Sequence, residues 1–156
     1  MNIDFQIVTD STTLPSEKSL CQWVKLATAE QDQVELVIRI VDGQESAELN
    51  QSYRSKEGAT NVLSFPFERP IGLPEEALEV EPLGDLVICA PVVEAQAIEQ
   101  KKPLMSHWAH MVIHGCLHLQ GYDHIDPIDA TKMESLEITL LKKMGVDNPY
   151  LDELDE

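Results

Sequence analysis

The segment LMSHWAHMVIHGCLHLQGYDH, residues 104–124, carries all five histidines of the chain. Its dense apolar pattern through residue 120 predicts a buried helix. Gly121 is a natural stop, because glycine takes positive φ without a Cβ clash. His114 and His118 are four residues apart, so both imidazoles project from one helix face, one turn apart. That spacing suits two ligands on one metal ion. His124 follows the glycine by three residues, where the chain can swing back toward the pair. Three neutral imidazoles leave one position of a tetrahedral zinc open, which suits catalysis and not a closed structural site. The string H-x-x-x-H-x-x-G-x-x-H therefore predicts one Zn2+ per chain on His114, His118 and His124.

The residues between and around these histidines divide into several groups. Cys116 lies about 160° from both predicted helical ligands, at ~100° per residue, and should be buried and inert. His107 is two turns before His114, about 10.5 Å at ~1.5 Å per residue, too far to share its metal. His107 and His110 read as core groups or as groups behind the ligands. Asp123 and Asp126 are either acceptors for a ligand imidazole or solvated loop acids. The spacing also matches the metzincin protease motif H-E-x-x-H-x-x-G-x-x-H, except that Gly115 stands where the protease has Glu. Peptide hydrolysis by that design needs the carboxylate as general base and proton shuttle. The metal site survives the comparison and the protease does not.

Outward from this helix, residues 2–8 alternate Ile3, Phe5 and Ile7, the period of a half-buried strand. Pro15 and Ser16 open a helix whose apolar stripe is Leu20, Trp23, Val24 and Ala27. Strands are predicted at 34–41, 59–67 and 83–90, with Pro66 suggesting an edge or an early end. Helices are predicted at about 45–53, 91–101 and 127–144, the last with Met133, Leu136, Leu140 and Met144 inward and Gly145 as its cap. Residues 68–82 read as a Pro-rich acidic loop. Strands interleaved with helices give an α/β or α+β layer architecture.

The length of 156 residues fits a single domain over 1–156. No apolar run approaches the ~20 residues of a membrane span, no secretory signal is visible, and three scattered cysteines suit a reducing, cytoplasmic setting. The net charge of −17 argues against a broad nucleic-acid surface. The acids are uneven: residues 68–82 hold five acids and one arginine, and the acidic tail 147–156 holds five acids and no base. Any RNA site must therefore be local, its positive charge supplied by a metal or a few placed bases. Arg54, one of three arginines, is suited to bidentate phosphate recognition, though a surface Arg at a helix end reads the same way in isolation.

Three stretches, LNQSYRSKEGATNVLSFPFE (49–68), LGDLVICAPVV (83–93) and HWAHMVIHGCLHLQGYDH (107–124), together resemble the bacterial YbeY family. The resemblance covers nearly the whole chain. It implies an α+β fold, a mixed four-stranded sheet packed with helices, and a metzincin-like zinc helix. It implies a zinc-dependent, single-strand-specific endoribonuclease acting in ribosomal RNA maturation, at the 3′ end of 16S rRNA, and in ribosome quality control. His114, His118 and His124 fall on the family's zinc ligands, and Arg54 on its functional arginine. With His114, Arg54 is the expected catalytic pair. The small ribosomal subunit and the GTPase Era are implied partners; no DNA and no membrane are expected. Asn61 stands where many members have Asp, and the acidic loop at 72–82 is longer than some, so only peripheral substrate contacts are affected. Two other readings fit the residues: a ribosome-assembly binding factor with mainly structural zinc, and a metallohydrolase of another substrate.

Overall fold

Alternation along β2 (Glu35–Val41) sorts the molecule into layers. Leu36, Ile38 and Ile40 face the main core, while Arg39 and Val41 face the other side of the sheet. The computed structural model describes residues 1–72, 74, 80–123 and 125–150. Among these, β1 (Asn2–Val8) and β4 (Gly84–Cys89) flank β2 in parallel, and β3 (Val62–Pro66) pairs antiparallel with β4. The strand order is β1-β2-β4-β3. This is the mixed four-stranded sheet of an α+β single domain. Pro66 ends β3, and β3 is an edge strand, as a residue without a backbone donor requires.

Helix α1 (Glu17–Ala27) crosses from β1 to β2 and starts where Ser16 accepts a hydrogen bond from the Ser19 amide. Its whole predicted stripe, Leu20, Trp23, Val24 and Ala27, is buried. Helix α2 (Gly43–Arg54) lies on the opposite sheet face, where Leu49 joins Val41, Leu63, Val87 and Cys89. Arg39 reaches up to it with a bidentate bridge to Glu45. Helices α3 (Ala90–Glu99), α4 (Leu104–Leu119) and α5 (Pro127–Lys143) complete the chain, and α4 touches α1, α3, α5, β3 and β4. It is the buried centre of the main core, with Trp108, Val112, Ile113 and Cys116 fully enclosed.

Most expected boundaries shift by one or two residues, and two differences have a clear cause. The strand expected at 59–67 begins only at Val62, because Thr60 is tied to α2: Ser46 Oγ accepts from its amide and donates to its carbonyl. Ile7, expected inward, is largely exposed at the end of the edge strand β1, whereas Ile3 and Phe5 pack on the core. Of the acidic tail, residues 147–150 are described and 151–156 lie outside the described residues. No helix among the described residues is long and apolar enough to cross a membrane.

The hairpin between β3 and β4 depends on Gly84. Its φ is +138°, and a Cβ there would stand 2.1 Å from the Phe65 carbonyl oxygen and 2.9 Å from the Phe67 nitrogen. Backbone atoms cannot move aside as a flexible side chain can. Gly84→Ala should therefore lose about 1–3 kcal/mol from the dihedral alone and more from the clash. A lowered urea midpoint at unchanged m-value checks this.

Candidate active site

Helix α4 approaches the sheet more closely than an ordinary side chain allows, and Gly115 makes the approach possible. A Cβ at Gly115 would lie 2.7 Å from Leu86 Cδ2, 3.2 Å from Val62 Cγ2 and 3.3 Å from Ser64 Oγ. Ser64 Oγ donates to the Gly115 carbonyl at 3.1 Å, locking α4 to β3. The residue after His114 thus faces the sheet, and a glutamate there would be driven into the core. This is the physical reason the protease carboxylate is missing.

With that contact made, His114 and His118 project beside the β3 edge. Their Nε2 atoms lie 3.1 Å apart. Each ring is oriented from behind. Glu137 Oε1 accepts from His114 Nδ1 at 2.7 Å, and the Tyr122 carbonyl accepts from His118 Nδ1 at 3.0 Å. An ionised carboxylate and a carbonyl can only accept, so both Nδ1 atoms carry the proton. In neutral rings the two Nε2 lone pairs then face each other. Two ligands of a tetrahedral zinc with Zn–N of 2.0–2.1 Å would stand roughly 3.3 Å apart, so the pair fits one metal ion.

The carbonyl that holds His118 is placed by the end of α4. Gly121 adopts φ +99°; its amide bonds the His118 carbonyl and that of Tyr122 bonds the Leu117 carbonyl. This is a Schellman turn, and it swings Tyr122 back under His118. His124, the expected third ligand, lies outside the described residues. Asp126 is a helix cap: its Oδ1 accepts from the Ile128 amide at 2.7 Å, with Pro127 opening α5.

A cleft of about 690 Å³ contains the pair, and Tyr53, Arg54, Ser64, Tyr122, Asp123 and Ile125 are among its walls. Arg54 enters it because α2 stops there: Ser55 turns left-handed at φ 56°. Arg39 pairs with Glu45 and Arg69 with Glu81, whereas Arg54 has no ion pair among the described residues. Sequence-distant Arg54, His114 and His118 thus meet in one cleft. Asn61 is also on its wall, and its side-chain amide donates to Gln96.

Sequence reasoning missed Glu137. Its carboxylate is fully buried and accepts from His114, from His110 Nε2 at 2.8 Å and from the Tyr150 hydroxyl at 2.5 Å. Burial drives its pKa up; the hydrogen bonds from His110 and His114, and their charge, outweigh burial and hold it at about 2. The available signal was its phase, four residues after Met133 and three before Leu140, on an otherwise apolar face of α5. Ligand atoms of His110, His114 and Glu137 all lie within 4.8 Å of one another, so this group could also hold a metal ion. His107 donates through Nε2 to the side-chain oxygen of Gln96 at 2.8 Å, since an amide oxygen can only accept. Burial, with the neighbouring His110 and Lys102, pushes the His107 pKa down to about 4.

The molecule is thus an α+β domain with a histidine-lined cleft at a sheet edge, and sequence similarity gives its family. The family described as Endoribonuclease YbeY matches residues 4–145. The chain belongs to the YbeY endoribonuclease family. The solution structure of TM1509 from Thermotoga maritima is similar, with 26% sequence identity and a TM-score of 0.59 over 88% of this chain and 87% of that one.

Cys116 is fully buried on the core side of α4, and burial raises its thiol pKa to about 12; burial also raises that of Cys89. Cys21 is only half-buried. Alkylation of the native protein at pH 8 followed by mass spectrometry should modify Cys21 alone. Cys89 and Cys116 should react only after unfolding, and rapid labelling of Cys116 would overturn the assigned helix phase.

Proposed function

We propose that this protein is a zinc-dependent, single-strand-specific endoribonuclease that matures ribosomal RNA, at the 3′ end of 16S rRNA, and acts in ribosome quality control. The observation that carries the reading is the meeting of two inward-facing imidazole lone pairs with Arg54 in one cleft, in a chain of an endoribonuclease family. His114, His118 and His124 hold one zinc ion. The orientation of both Nδ1–H groups away from the cleft favours this set over His110, His114 and Glu137, whose ligand atoms already bond one another.

Zinc, when bound, supplies the Lewis acidity that polarises a phosphoryl oxygen or acidifies water. The chain's own residues do the rest. Arg54 grips a non-bridging phosphate oxygen through its fork and stabilises the charge that develops there. Tyr53, more than half exposed, is braced by Phe65 at a ring-centroid distance of 4.4 Å and offers its face to a base. Tyr122 and Ile125 supply apolar surface on the other side of the histidines. Stacking of this kind needs unpaired bases, which supports a single-stranded substrate. Gly115 excludes the protease variant of this chemistry. The small ribosomal subunit and the GTPase Era are the partners that fit the reading, and the cytoplasm its location.

Arg54→Ala should keep zinc content and folding while cutting the rate of single-stranded RNA cleavage by about 10²–10³, and Arg54→Lys should recover only part of that. His118→Ala should lose both zinc and cleavage. Metal analysis alongside cleavage of single-stranded and duplex RNA checks these outcomes. Full activity of Arg54→Ala at normal zinc would remove the arginine from the mechanism.

A further inference from the structure

We propose that Glu137 is a positioning residue that aims His114 into the cleft, and that the Tyr150 hydroxyl and His110 hold its carboxylate for that task. The proposal rests on the zinc reading above. It starts from the cost of the arrangement: a carboxylate with 0% exposure sits in the apolar stripe of Met133, Leu140 and Leu141, where an aliphatic side chain would pack without any polar demand. Such a group is tolerated only when its lone pairs are occupied, and here they are. Oε2 accepts from both His110 and Tyr150, which leaves Oε1 to His114 alone. The division of labour fixes the carboxylate plane and thereby the direction of the His114 ring.

The third donor comes from beyond the last helix. Gly145 at φ +74° reverses the chain, with its amide on the Lys142 carbonyl and that of Val146 on the Leu141 carbonyl. Lys102 Nζ donates to the Pro149 carbonyl, pinning the returning segment to the start of α4. Tyr150 then stands edge-on to the His110 ring, centroids 5.7 Å apart, with its hydroxyl on Glu137. The segment 146–150 is thus a strap across the back of the site, far in sequence from the residues it serves.

A carboxylate behind a ligand imidazole raises ligand basicity and fixes its tautomer, and its loss typically costs 10–100-fold in metal affinity. The test uses the full chain with Glu137→Met, Glu137→Gln and Tyr150→Phe, beside His118→Ala. Zinc affinity is read by chelator competition, and the His114 tautomer in metal-free protein by long-range proton–nitrogen NMR. Glu137→Met should weaken zinc by about 10- to 100-fold and release His114 from the Nδ1–H tautomer. Glu137→Gln, which keeps an acceptor for His114, should recover much of both. Tyr150→Phe should weaken zinc several-fold with the His118 tautomer unchanged, and this variant decides the matter if Glu137→Met does not fold. Unchanged zinc affinity and His114 tautomer in the folded variants, with zinc lost in His118→Ala, would overturn the positioning role alone. Zinc retained in His118→Ala but lost in Glu137→Gln would instead overturn the zinc reading, making Glu137 a ligand.

Discussion

The contact between Gly115 and the β3–β4 surface is the constraint from which the rest of the site follows. Leu86, Val62 and Ser64 occupy the space a side chain would need. With the helix seated there, the residues on either side have no freedom about where they point: His114 and His118 reach the sheet edge, Cys116 enters the core, and His110 turns toward α5. A close-packed interior does not absorb even one extra methyl without displacement. The glycine that removes the protease's carboxylate is therefore the same residue that brings the histidine pair up to strand β3.

Electrostatics is handled by separation. A chain of net charge −17 repels polyanions at long range, yet at 0.15 M salt that field fades over about 8 Å. Within the cleft what counts is local: an arginine with no ion pair among the described residues, and nitrogen lone pairs that fit a cation. Of the acids near the chemistry, Asp123 is on the cleft wall and Glu137 is not. Glu137 is behind the histidines and sealed from solvent, with one carboxylate oxygen bonded to the His114 ring.

Much of this was legible in the residues themselves. The i, i+4 histidines, the glycine after them, the core-facing phase of Cys116 and the edge strand at Pro66 each follow from one local rule. The YbeY resemblance was legible for the same reason, since its motifs sit on contiguous stretches. What was hidden is non-local. Strand order depends on which chain segments meet, and nothing in residues 34–41 names β4 as a neighbour. Glu137 belongs to a helix rich in charge; its phase marks it as inward, but its role shows only in its three partners, from α4 and from beyond α5.

The strap at residues 146–150 also bears on when the protein becomes competent during its own synthesis. Domains assemble from the N-terminus as the chain emerges, and β1, α1, β2 and the other strands all precede α4. The sheet and the histidine helix can therefore form while the last stretch is still inside the ribosome. Tyr150 reaches Glu137 only after that stretch has been extruded. A chain made only as far as α5 has every strand and the histidine helix but lacks one donor of the network behind them. The network behind His114 is therefore the last of these parts to be completed as the chain is made.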